Sequence, residues 1–139
     1  MGVNFIDSKV VTDYENGKVY RFNKDTRTDD GATIVRELTG RHYENDMDYF
    51  TVGRFILDAE IGVGLESGQG SDPQIMMQYS IDGGHTWSEE LWTSLGKIGE
   101  YENRAEWWRL GRGKNFTFRV RVSDPVKFVC TGAGLRIAA

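Results

Sequence analysis

Residues 115–123 read NFTFRVRVS, and within them Phe116, Phe118, Val120 and Val122 alternate with Thr117, Arg119, Arg121 and Ser123. A period of two puts the apolar set on one face of a strand and the polar set on the other, whereas a helix would scatter both sets around its circumference. Working outward, RFILDAEIGVG (54–64) repeats the pattern. Phe55, Leu57, Ala59, Ile61 and Val63 face one way; Arg54, Ile56, Asp58 and Glu60 face the other. Shorter strands are predicted over 18–23, 33–38, 75–80, 105–110, 126–131 and 134–137.

The segments between these strands carry turn chemistry. Asn16-Gly17 and Asp29-Asp30-Gly31 offer residues that tolerate positive φ, as tight reversals between antiparallel strands require. Pro125 ends the strand at 116–123, where its missing N–H does least harm. ESGQGSDPQ (66–74) reads as a long loop inside one domain, because the strands on either side are too short for separate cores. Residues 88–95 and 101–106 are expected to form at most a turn or two of helix. Residues 1–12 show no strong pattern and read as a tag remnant or the end of a strand whose partner lies elsewhere. The predicted fold is all-β: an antiparallel, jelly-roll-like sandwich of seven to nine strands with minor helix, and a closed barrel as the alternative.

A chain of 139 residues, 39% hydrophobic and 12% aromatic, is sized for a single domain over residues 1–139. It has no run of 18 apolar residues, and its first ten residues lack the basic start and apolar stretch of a signal peptide, so no membrane contact is expected. The single cysteine, Cys130, cannot form an internal disulfide and reads as a small packed hydrophobe. A net charge of −4 argues against a generally basic coat for nucleic acid. Charge is uneven, however: Arg104, Arg109, Arg112, Lys114, Arg119 and Arg121 stand against Glu106 alone. This stretch is a candidate face for an acidic partner or DNA, or a set of strand residues pointing into water.

SIDGGHTW (80–87) matches the pattern S-x-D-x-G-x-T-W, the Asp box of sialidases and many unrelated β proteins. Its physics is local. Ser80 and Asp82 can cap backbone donors in the turn, as Thr86 completes the motif. Gly83 and Gly84 can take left-handed φ, and Trp87 can pack its indole under the returning strand. The stretch is therefore expected to be a structural hairpin turn (Ser80, Asp82, Gly84, Thr86, Trp87).

No catalytic, cofactor or metal site is predicted. His85 occupies a free position of the turn, and His42 lies too far away in sequence to give a metal-binding spacing with it. Asp46 with Asp48, and Asp58 with Glu60, are carboxylate pairs of the kind glycosidases use, yet strand faces in water need polar residues there anyway. Neither pair has the loop spacing of a calcium site. Trp87, Trp92, Trp107 and Trp108 could form a platform for sugars or unstacked bases, but Trp107 and Trp108 are strand neighbours and must face opposite ways. Phosphate-binding glycine loops and nucleophile elbows are absent.

Five ordered pieces carry a resemblance. They are the D-P-Q strand at 72–74, the S-x-D-G-G-x-T-W turn, L-G-x-x-G-x-Y at 95–101, W-R-L-G at 108–111, and F-R-V-R-V-S-D-P-V-K at 118–127. Together with NGKVYRFNKDTRTDDGATIVRELTGRHY (16–43), they make the chain similar to the carboxy-terminal part of the packaged-DNA stabilisation proteins of short-tailed phages. The resemblance implies a non-enzymatic hub component of the virion tail or neck, made in the host bacterial cytoplasm. It implies contacts with the portal or other tail proteins and allows a homo-oligomer and DNA contact. No catalytic residue or cofactor comes with the family. Its members run to several hundred residues, so the chain reads as a carboxy-terminal fragment or a shortened homologue. The alternatives are a glycan-binding β-sandwich module of a phage adhesion or Asp-box protein, and a glycosidase using Asp58, Glu60 or Asp82.

Overall fold

A computed structural model describes residues 2–5, 8–60, 62 and 64–138; the predicted inward positions Ile61 and Val63 lie outside the described residues. Among the described residues there are thirteen strands and no helix. They are β1 (Gly2–Phe5), β2 (Ser8–Thr12), β3 (Val19–Arg21), β4 (Thr28–Asp29), β5 (Ala32–Thr33), β6 (Arg36–Thr39), β7 (Tyr43–Glu44), β8 (Phe50–Ala59), β9 (Gln74–Ser80), β10 (Leu91–Ser94), β11 (Ala105–Gly113), β12 (Asn115–Val122) and β13 (Cys130–Ala138). The number exceeds the seven to nine expected because β1, β2, β4, β5, β7 and β10 are only two to five residues long. So few residues show too little alternation to be recognised.

Two antiparallel sheets form the sandwich. The larger has the order β10-β9-β12-β6, with β7 also on β12, and the smaller has the order β11-β8-β13. Near the amino terminus β1, β2 and β3 build a separate three-stranded sheet, so the described residues of the patternless stretch, 2–5 and 8–12, are strands. The β4-β5 ribbon closes through Asp30 and Gly31, both at positive φ (48° and 85°), as a two-residue hairpin demands.

Three expectations are corrected. Residues 91–94 are strand β10, paired to β9, and 105–106 open β11; positive φ at Gly96 and Gly99 breaks the chain between them, so neither predicted helical turn forms. The two strands expected at 126–131 and 134–137 are a single β13 that begins at Cys130, with a register shift between Cys130 and Gly132. Residues 124–126 are held outside the ladder, the Asp124 and Val126 carbonyls accepting from the Arg36 side chain. The sandwich is also not a closed barrel, since no backbone pairing joins β10 to β11 or β6 to β13 among the described residues.

The β8 strand changes phase. Phe50 and Val52 point inward, and then so do Phe55 and Leu57. The switch falls at Gly53, opposite register shifts in both neighbours: between Trp108 and Gly111 in β11, and between Arg136 and Ile137 in β13. A bulge adds one residue and moves the side chains beyond it to the other face. On the β11 side the extra residues include Arg109, whose φ of +58° is left-handed.

The core lies between the sheets. Phe116, Phe118, Val120 and Val122 of β12, the apolar set of the opening stretch, are all buried against Phe50, Val52, Phe55 and Leu57 of β8. The rings of Phe55 and Phe118 stack across the sandwich with centroids 4.2 Å apart and planes 9° from parallel. One lateral seam is stapled: the Trp107 indole is buried and its Nε1–H donates to the Leu91 carbonyl at 3.0 Å. The other, between β6 and β13, holds a cavity of about 260 Å³ whose walls include Leu38, Phe55, Phe118 and Ala133.

Candidate functional site

The turn after β9 is a self-contained hydrogen-bond unit. The Ser80 hydroxyl donates to Asp82 Oδ1 (2.6 Å) and accepts from the Gly84 N–H (2.9 Å). Thr86 donates twice to Asp82, through its N–H to Oδ1 (2.9 Å) and through its hydroxyl to Oδ2. Gly83 and Gly84 sit at φ of 76° and 93°, which is what lets the chain reverse here. Hydrogen bonds from the Ser80 and Thr86 hydroxyls, then from the Thr86 N–H, hold the Asp82 carboxyl well below the usual carboxylate range. A carboxylate held in that state is a poor proton donor at neutral pH. His85 projects from the turn, exposed.

The remaining candidate acids lie elsewhere. Ile81 packs against Gly113, which pairs with Phe50, so the turn sits at the Phe50 end of β8. Asp58 lies eight residues along that strand, roughly 25 Å away at the rise of a strand. Asp58 accepts from the Thr131 hydroxyl (2.9 Å), and Glu60 pairs with Lys127 (3.0 Å). Asp46 and Asp48 belong to the turn before β8, where Asp46 and Met47 have positive φ. No group of three His, Cys, Asp or Glu side chains is placed to hold a metal among the described residues.

The four tryptophans also separate. Trp107 is in the core, and Trp108 is exposed on the outer face of the smaller sheet, 4.9 Å from the Arg54 guanidinium. Trp87 and Trp92 lie with the larger sheet. Trp92 is 55% exposed and stands beside Met76, which is in register with Arg121; the Arg119 guanidinium lies 4.0 Å above the Trp87 ring.

The basic stretch is divided in the same way. Arg119 and Arg121 project from β12 on the outer face of the larger sheet. Arg119 donates to Gln78 Oε1 (2.6 Å), and Arg121 is bracketed by Glu37 (2.7 Å) and Glu90 (3.3 Å). Arg112 and Lys114 lie at the β11–β12 hairpin, both over the Tyr49 ring. Arg109 occupies the β11 bulge, and Arg104 lines a surface cleft beside Asp58 and Tyr101. Thr117, expected among the water-facing residues of β12, is buried, and its hydroxyl shares a hydrogen bond with His42 Nδ1.

Of the predicted residues, the fold therefore gathers Trp87, Trp92, Arg119 and Arg121 on one sheet face. Sequence reasoning missed their partners Met76, Gln78, Glu37 and Glu90. For Met76 and Gln78 a signal existed, the alternation in IMMQYS; Glu37 is brought in only by the pairing of β6 with β12, and Glu90 only by the fold of the loop before β10.

No curated protein matches the chain at the level of sequence. A family model described as "Bacteriophage P22 Gp10, beta-sandwich" matches residues 35–138. That span runs from the start of β6 to the end of β13, and so coincides with the two sheets of the sandwich and leaves out β1 to β5. The chain belongs to the bacteriophage P22 Gp10 β-sandwich family and is a structural protein of a bacteriophage.

Proposed function

We propose that the domain is a non-enzymatic hub component of the phage tail or neck. In this reading it joins the portal to the tail through protein–protein contacts and so helps to keep packaged DNA in the head. The observation that carries the proposal is the family match along the whole sandwich. The contact surface is proposed on the outer face of the larger sheet. Trp92 is exposed on the edge strand β10, over the buried Met76 of β9, with Arg119 and Arg121 of β12 in the row beyond. Tryptophan and arginine held on a rigid sheet are the residue types that dominate binding energy at protein interfaces. A glycan-binding reading has less support, because its two most exposed tryptophans, Trp92 and Trp108, stand on different sheets.

The test is to mix the purified protein with portal rings, and separately with the other tail proteins, of the same phage and to image the products. Stable complexes that are lost in Trp92→Ala, a change expected to cost about 2 kcal/mol or more of binding, would support the proposal. A protein that docks on none of these components would refute it.

A further inference from the structure

A second basic cluster lies outside the stretch at 104–121. The loop before β4 and the segment between β12 and β13 border an open surface cavity of about 430 Å³ lined by Arg27, Arg36, Lys127, Ile34, Phe128 and Val129. Three cations thus meet on one cavity with apolar walls. The Arg36 guanidinium is anchored from behind, donating to the carbonyls of Val126 (2.6 Å) and Asp124, and its buried Nε–H has no partner. Arg27 is held by the Lys24 carbonyl. Among the described residues no carboxylate lies at ion-pair distance from Arg27 or Arg36, and only Lys127 is paired, with Glu60. Burial, and then repulsion from Arg27, pulls the Arg36 guanidinium below its ordinary pKa, with Asp124 opposing. The site is short of negative charge.

We infer that this cavity receives an acidic side chain carried on an apolar-flanked segment of another virion protein. Charge complementarity selects the carboxylate, since an arginine fixed in place by backbone carbonyls presents its remaining donors at little entropic cost. The walls select the rest: Ile34 and Val129 are each 39% exposed and would be covered by an aliphatic neighbour of the acid. Duplex DNA fits less well, because it presents a charge about every 1.7 Å and calls for a row of cations rather than one walled cavity. That the partner is a protein rests on the structural-subunit reading above.

The test is an NMR titration of the full chain at low salt with hexanoate, hexanol and inorganic phosphate, followed at the Arg27 and Arg36 Nε–H signals and the amides of Lys127 to Val129. Hexanoate is expected to shift these signals with a Kd of about 1 mM. Hexanol is expected to leave them in place, and phosphate to bind at least tenfold more weakly. Arg27→Gln should weaken hexanoate about fivefold without changing the Tm; it is the variant of choice because Arg36 also holds the 124–126 backbone. Silence to every probe, phosphate binding as tightly as hexanoate, or an unchanged affinity in Arg27→Gln would each overturn the inference. If the protein docks on tail components while the cavity fails these tests, the cavity assignment alone falls. If the cavity passes and no docking occurs, the hub reading falls instead.

Discussion

Replacing Phe118 by alanine removes the ring on which the two sheets meet. Phe118 is buried, stacks on Phe55 at 4.2 Å and touches Tyr43 edge-on at 5.8 Å. Phenylalanine truncations in cores cost about 3–5 kcal/mol, part of it from the cavity left behind. Here the deleted ring would enlarge the existing cavity of about 260 Å³ at the β6–β13 seam, which the ring already lines. Because that seam opens to the surface, the deletion widens an existing cleft instead of leaving a closed void, so the expected loss is near the lower end, about 3 kcal/mol. With a urea m-value of about 1.5 kcal/mol/M, the unfolding midpoint falls by about 2 M. The assay is equilibrium urea unfolding followed by tryptophan fluorescence and far-UV circular dichroism, whose transitions should coincide. A double-mutant cycle with Phe55→Ala isolates the stack, which should be worth about 0.5–1.5 kcal/mol beyond its buried area. A loss below about 1 kcal/mol for Phe118→Ala, or strict additivity in the cycle, would refute the view that this stack joins the sheets.

Three further outcomes are expected. Asp82 has a depressed pKa in the folded state, so its contribution to stability is full above the unfolded value of about 4 and is lost as pH falls through the folded one. Asp82→Asn should therefore flatten the acid limb of the stability curve, and an unchanged acid midpoint would count against the turn network. Arg109→Gly relieves a left-handed φ and should gain up to about 1 kcal/mol in calorimetry, net of the added chain entropy; a clear loss would mean that the side chain does more than tolerate the bulge. Trp107→Phe leaves the Leu91 carbonyl without its donor at the stapled seam and should cost about 2 kcal/mol in urea unfolding, while a neutral result would show that this seam is held by packing alone.

How far the sequence could be read depended on the reach of the interaction involved. The alternation in β12 and in β8 beyond Gly53 was legible because side-chain direction follows from adjacent peptide units. The hydrogen-bonded turn at residues 80–87 was legible for the same reason, as its donors and acceptors lie within four residues of each other along the chain. Strand β10 was not, because its four residues are strand by virtue of pairing with β9, and alone they carry no period. The basic stretch looked continuous, yet the β11–β12 hairpin sends its two arms to different sheets and parts Arg104 and Arg109 from Arg119 and Arg121.

The sequence by itself determined that the chain is all-β, where its best strands turn inward, and that SIDGGHTW closes a hairpin, since each of these follows from neighbours along the chain. Only the tertiary structure decided which strands pair, that β8 changes face at Gly53, and that Arg27, Arg36 and Lys127 share one cavity. Those outcomes depend on residues up to a hundred positions apart, brought together by the burial of one common core, and a local pattern carries no record of its distant partner.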